Sequence, residues 1–534
     1  MALSRREFLA GAGGLSLGAA VFGVAGPAFG DAPADPRALT RNRLVVIFLE
    51  GGNDGLNTIV PRGDVAGAPR LSVYRRVRPS LAYKPEVLLP LDRVHDADQL
   101  LGLNPRLAHL HGMYRDGRVA IVQGVDYPNH NYSHFASADI WHTGDPTKTG
   151  ASGWLGRHLD RVGVGDGELR AAAIASKVPL MLQGRVPAAA MTSIGAMRFA
   201  DGTGTAAAAR HRALAAMGGG RSGDPVRQRV GASLRQAVDV VSDLGKTQAP
   251  TGAGSGLANS MLTARTLLEQ NLGVECVYVY QGGYDTHTAQ QASQERLLGE
   301  LDTALETFWL GTEHGVAVAG AGAMKPEVAG RTLVMVVSEF GRRIGEANGG
   351  VGVAGTDHGA AAPVVLVGPP AAARPSGAAT LVPGLHGDHP DLGTPNNPAD
   401  NLVMTTDLRH LYQSVLQAWL GDPDPIYSRS LPGLFADAAP ASGAAAARRN
   451  SIVASRALDA TATSSGPLGI GGGPGARVAG ETTARRLGGT DGRALHPVSV
   501  AAALAFNAFV AAVVVRSGRF RAALADWRGD NAAP

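Results

Sequence analysis

The chain has a single cysteine, Cys276, in 534 residues, so no intramolecular disulfide can form. That cysteine sits inside the apolar run VECVYVY and reads as a buried core residue. Aromatic residues are 5% of the sequence, and no stacking platform is evident among them. Charged residues are 18%, the formal net charge is +4, and there is no long block of like charge. The footprint of a nucleic-acid-binding protein is therefore missing. What is abundant is glycine, 72 residues, which points to long loops, and hydrophobic residues at 45%, which mark a globular chain. This length can bury a large core with more than one layer or lobe.

Both ends read differently from the middle. Residues 4–9 (Ser4-Arg5-Arg6-Glu7-Phe8-Leu9) resemble the twin-arginine signal. An uncharged Gly/Ala-rich stretch follows to Gly30, ending in a small-x-small site, Ala28-Phe29-Gly30. Residues 1–30 are thus expected to be a signal peptide read by the twin-arginine export machinery. The expected location is periplasmic, extracellular or on the cell surface. Residues 436–497 are rich in Ala, Gly, Ser, Thr and Arg with little periodicity and read as a disordered linker. Residues 498–515 are uncharged, with arginines on both sides. At about 1.5 Å per residue they reach about 27 Å, just short of a hydrocarbon core of about 30 Å. They are either a C-terminal membrane anchor or a helix packed on the domain or a partner.

Between these ends lies one domain, residues 40–435. Short continuous apolar runs at 44–49 (LVVIFL), 119–123 (VAIVQ), 274–280, 332–337 (TLVMVV) and 363–367 (PVVLV) read as strands buried on both faces. Helical spacing appears at 105–114, 133–141, 226–244, 257–272, 288–312 and 408–420. Alternation of the two predicts an α/β fold with a mostly parallel sheet flanked by helices on both faces. Residues 150–224, Gly/Ala-rich with short apolar pieces, read as an inserted lobe or cap.

Three of the strands run into loops that carry acids. The first loop holds Asp54 in Gly51-Gly52-Asn53-Asp54-Gly55, the second Asp285 and His287 in Gly283-Tyr284-Asp285-Thr286-His287. The third is Ser338-Glu339-Phe340-Gly341-Arg342. In open parallel sheets, ligands bind beyond the carboxyl ends of the strands. Carboxylates and a neutral imidazole delivered there suit a divalent cation. Asp54 is either such a ligand or an Asx turn closing the strand. Asp285 and His287 are close enough to face one ion. Glu339 is a ligand, a base, or the partner of Arg342, whose planar fork would otherwise hold an anion. Thr356-Asp357-His358-Gly359 precedes PVVLV and adds two more donors. His386 and His389 rank lower. Ser133 opens a helix after VAIVQ; it is either an N-cap or a nucleophile at the positive helix end. His130 and His134 bracket it, as ligands, proton donors or surface residues.

Taken in order, the twin-arginine start, LVVIFLEGGNDGLNTIVP, Ser133-His134 with Trp141 and Gly144, GGYDTH, SEFGR, TDHG and Thr406-Asp407-Leu408-Arg409 to Trp419 resemble an exported bacterial family, domain of unknown function 1501. The likeness spans about residues 40–425. That family resembles a branch of the alkaline-phosphatase-like superfamily, which includes sulfatases. The resemblance implies two metals at the strand ends, with Asp54, Asp285, His287 and His358 matching ligand positions and Ser133 the nucleophile. Ser338-Glu339 stands where an Asp-His pair is usual, and Asp357 offers a compensating ligand.

The expected activity is metal-dependent hydrolysis of a small phosphate or sulfate ester. Asp54, Asp285, His287, Glu339, Asp357 and His358 would bind Zn, Mn, Mg or Ca, Ser133 would attack, and Arg342 would hold the anion. The alternative is a non-catalytic protein that keeps the fold and binds an envelope polymer or partner.

Overall fold

The computed structural model describes residues 40–436, apart from 94–95, 148–149, 151, 164–168, 195–212, 214–251, 271, 348 and 423. The signal at 1–30, the apolar run at 498–515, the linker apart from its first residue and the helix expected over 226–244 lie outside the described residues. Among the described residues, no helix is long and apolar enough to cross a membrane.

Among the described residues, a nine-stranded sheet forms the centre. Its strands are β1 (Arg43–Glu50), β2 (Val119–Asp126), β3 (Ala171–Ile174), β4 (Ala188–Met191), β5 (Cys276–Gly282), β6 (Thr332–Ser338), β7 (Ala362–Val367), β8 (Gly384–His386) and β9 (Thr406–Asp407). Their order is β8-β2-β7-β6-β1-β5-β3-β4, and β9 also pairs with β2. Every pairing is parallel except the two made by β7, which runs against β6 and β2. The sheet is therefore mixed but mostly parallel, as the apolar runs imply.

Helices cover both faces. They are α1 (Gly55–Thr58), α2 (Arg70–Val77), α3 (Ala108–Arg115), α4 (His134–Thr143), α5 (Trp154–Val162), α6 (Gly256–Glu269), α7 (Gln290–Leu310) and α8 (Leu408–Ser414). Alternate residues of each central strand enter opposite cores. Val45, Ile47, Val277, Val279, Val334 and Val336 pack with α3, α6 and α7. Leu44, Val46, Phe48, Leu333, Met335 and Val337 pack with α4, α5 and α8. Burial on both faces is the reason that these strands read as unbroken apolar runs.

The described part of 150–224 is not a separate lobe. Its α5 covers one face, and β3 and β4 extend the main sheet beyond β5 in parallel register. Sheet pairing overrides the weak strand propensity of the alanines in these two strands.

A buried ion network ties α5 to the start of β5 and to the segment after α8. The His158 Nδ1 lies 2.7 Å from Asp422, and its Nε2 lies 3.0 Å from Glu275. Arg161 and Arg170 pair with the same two carboxylates. Burial pushes the imidazole down, but hydrogen bonds to Asp422 and Glu275 outweigh it and raise its pKa. Burial pushes both carboxyls up, but His158 and the arginines hold them low. The share contributed by His158 is complete below its unfolded value of 6.5 and is lost as pH rises through the raised folded value. The share from Glu275 and Asp422 is present above their unfolded values and is lost as pH falls through the lowered ones. The network should stabilise most between about pH 5 and 6.5. In thermal melts, His158→Gln should therefore lose most against the parent in that window and converge with it at alkaline pH. A constant gap across pH would refute this account.

Candidate metal centre

Register brings the acid-bearing loops to one level. Leu49 lies opposite Ser338 on one side and Gln281 on the other, so β1, β6 and β5 end at the same edge. Because β7 runs the other way, it begins at that edge, and Asp357 and His358 just before it enter the same crevice. Backbone bonds stitch the loops together: Tyr284 donates to the Glu50 carbonyl at 3.2 Å, Thr356 to Thr286 at 3.2 Å and Arg343 to Asp357 at 3.1 Å. Gly51 (φ +117°) and Gly52 (φ +79°) pass so close that a Cβ would collide with the Asp285 amide and the Phe340 ring. Only glycine tolerates both the backbone angles and the contact.

His134, Asp285 and His358 converge there. One donor atom from each lies within 4.8 Å of the others, a potential metal-binding triad. The His134 Nε2 is 3.4 Å from Asp285 Oδ2, and the His358 Nε2 is 3.1 Å from Oδ1. His287 adjoins them, with its Nε2 2.9 Å from Asp285 Oδ1 and 3.0 Å from the His358 Nε2.

The far side of each ring is fixed. The Nδ1 of His134 meets Glu339 at 2.7 Å, that of His287 meets Asp357 at 3.1 Å, and that of His358 meets the Tyr132 carbonyl at 2.8 Å. Carbonyls and carboxylates accept only, so each Nδ1 donates, and a ring whose single proton sits there has an Nε2 lone pair to offer. The His134 Nε2 is enclosed without a hydrogen-bond partner. Such lone pairs would face one carboxylate and each other, an arrangement that a cation between them relieves. A tetrahedral ion with bonds of about 2.0–2.1 Å spaces its donors about 3.3–3.4 Å apart. The shortest donor separations here, 2.9–3.4 Å, are of that size. An imidazole whose other nitrogen is held by a carboxylate or carbonyl is also the usual form of a histidine ligand. The residues therefore fit a divalent ion.

Electrostatics agree with that fit. Burial pushes the Asp285 carboxyl up, but hydrogen bonds from Arg342 and His358 outweigh it and hold the pKa at about 2. Asp285 is thus a carboxylate throughout the neutral range. The hydrogen bond to Glu339 raises the His134 pKa against the effect of burial, making the ring a stronger base.

Other expected site residues take other parts. Asp54 does not join the triad. It is buried, accepts from the Leu56 amide at 3.2 Å as the cap of α1, and pairs with Arg78 at 2.6 Å. Gln290 donates to it as well. The ligand reading gives way to the Asx turn, because Arg78 and the loop absorb its lone pairs. Glu339 is buried and accepts from the Gly51 amide at 2.8 Å and from His134, so it orients a ligand instead of facing the ion itself. Asp357 does the same for His287 from a more exposed position. Arg342 is buried. Its guanidinium donates to the carbonyls of Gly51, Gly52, Tyr284 and Thr356 and to Asp285 at 2.8 Å. With those donors spent it positions Asp285 and does not hold a substrate anion. Ser338 donates to the Leu49 carbonyl at 2.6 Å and accepts from Asn53, a tie between loops. Ser133 is exposed and caps α4 through the Ala136 amide at 3.5 Å. His386 and His389 bond to the Val382 and Pro390 carbonyls.

The residue that sequence reasoning left undecided is His134. Its only local signal is the pair of histidines around Ser133; the deciding contact, with Glu339, is 205 positions away.

Together these features define an α/β protein with imidazoles and carboxylates gathered at the carboxyl edge of a mixed sheet. Residues 120–370 match the family described as Protein of unknown function (DUF1501). The match takes in all four converging residues and Glu339, Arg342 and Asp357, but not Asp54. A comparison with curated proteins gives no match.

Loss of an outer-shell carboxylate typically lowers metal affinity about 10–100-fold. Glu339→Gln should therefore weaken zinc binding by about that factor in a competition titration, with the far-ultraviolet circular dichroism unchanged. Affinity equal to the parent's would remove the orienting role.

Proposed function

We propose that the chain is an exported, metal-dependent hydrolase of phosphate or sulfate esters, a branch of the alkaline-phosphatase-like superfamily. The observation that carries this reading is the meeting of the His134, His358 and Asp285 donor atoms at the strand ends, with His287 beside them. The chain order of the parts supports it: Ser133 follows β2, Asp285 and His287 follow β5, and His358 precedes β7. A divalent ion held by these residues would polarise the ester and lower the pKa of an attacking hydroxyl. Ser133, exposed at the positive end of α4 and next to His134, is the nucleophile of this reading. Arg343 replaces Arg342 as the group that grips the anion. It is partly exposed, lies 6.0 Å over the Tyr132 ring, and its pair with Asp400 is a surface pair that costs little to break.

One observation favours the alternative, a non-catalytic metal-stabilised protein of the cell envelope that binds a polymer: Asp54 and Glu339 are both consumed by the fold. The two readings separate in an assay of zinc- or manganese-loaded protein on aryl phosphate and aryl sulfate. Turnover should occur and should drop by at least about 100-fold in His134→Ala, beyond the range seen for outer-shell partners. Ser133→Ala should abolish it. No turnover with either ester, or full turnover in both variants, would reject the hydrolase.

Export rests on the Ser4-to-Leu9 motif and the uncharged stretch behind it. Replacing Arg5 and Arg6 by lysine should hold the protein in the cytoplasm on cell fractionation. An unchanged distribution would discard the twin-arginine route.

A further inference from the structure

We infer that the centre takes one ion and not the pair that the superfamily resemblance implies, and that this ion is of the zinc, cobalt or nickel class. The inference rests on the metal reading of the site but not on catalysis.

The donor set decides the class. The triad offers two imidazole nitrogens and one carboxylate, and a third imidazole, His287, adjoins Asp285 and His358 at 2.9 and 3.0 Å. Nitrogen-rich sites suit borderline transition metals, whereas magnesium and calcium take oxygen ligands. Each imidazole also has its Nδ1 on an acceptor, which makes Nε2 the atom that would bind.

The number follows from what is spent. A second ion needs further carboxylates; of those near the crevice, Asp54 and Glu339 are engaged by the fold, and Asp357 commits one oxygen to His287 at 3.1 Å. Both Asp54 oxygens accept from Arg78, at 2.6 and 3.1 Å, and Gln290 and Leu56 complete the set. A carboxylate offers about four lone-pair directions, and all four are used. In Glu339, one oxygen accepts from both Gly51 and His134, and the other lies 3.1 Å from the Ser338 hydroxyl. Arg342 closes the argument. Its buried guanidinium bonds Asp285 Oδ1 at 2.8 Å, supplying the positive charge that a bridging second ion would bring. Two cations and a fixed guanidinium on one carboxylate would repel.

The test is metal analysis of the purified full-length chain, stripped and then reloaded separately with zinc, cobalt, magnesium and calcium salts. One zinc or cobalt per chain should survive dialysis, cobalt should show the intense visible bands of a four-coordinate site, and magnesium and calcium should wash out. His134→Ala, His287→Ala and His358→Ala should each lower zinc retention at least tenfold. Asp54→Asn, checked for folding by its melting transition, should still bind one. Two ions per chain, with one lost in Asp54→Asn, would overturn the single-ion inference while leaving the hydrolase reading intact. Preferential retention of calcium or magnesium would overturn the assigned class. No retained metal in any form would overturn the site itself, and with it both readings.

Discussion

The buried guanidinium of Arg342 is the interaction on which the site depends. A guanidinium removed from water needs acceptors for its donors, and here they are four backbone carbonyls and one carboxylate. Those acceptors belong to the loops after β1 and β5 and to the segment before β7, while Arg342 itself follows β6. One side chain thus satisfies carbonyls that no strand or helix would otherwise pair, and fixes four chain segments relative to each other. Removing one member of such a buried set leaves charge or carbonyls unpaired, at a cost of about 3–5 kcal/mol. The Gly51-Gly52 turn has its reason in the same place, since only a backbone without side chains passes between Asp285 and Phe340.

The direction of β7 is the second constraint. In a wholly parallel sheet, a residue that precedes a strand lies at the amino edge, far from the crevice. The antiparallel pairing of β7 with β6 and β2 reverses this and delivers His358 to the edge where Asp285 and Glu339 already are. His134 arrives from the opposite side of β7, at the start of the helix after β2. The four converging residues come from three segments that lie far apart in sequence and share an edge only through strand order.

Much of this was legible in the sequence. The central strands announce themselves because burial on both faces leaves no polar alternation, and the acids and histidines at their ends mark the functional edge. Asp285, His287 and His358 were recoverable because each sits in a short loop at a strand end. The roles of Asp54, Glu339 and Arg342 were not. A carboxylate looks the same in sequence whether its partner is a cation from solvent or an arginine such as Arg78, which lies 24 residues away from Asp54 and has no motif of its own. Arg342 beside Glu339 suggested a local pair, whereas its actual partners are carbonyls, which sequence never marks. β3 and β4 escaped notice because runs of alanine carry no strand signature; their place comes from the exposed edge of β5.

The mixed sheet has a mechanical consequence. His358 hangs from the start of β7, while Glu339 hangs from the end of β6, its antiparallel neighbour. Sliding one strand past the other by a single residue would move these two anchors apart by about 3.4 Å. The His134–Glu339 contact and an ion shared by His134 and His358 would together tie the end of β6 to the start of β7 through His134, and so resist shear between them. The centre acts as a bolt at β7, the strand that runs against both its neighbours, and the register of the core and the shape of the site are set together.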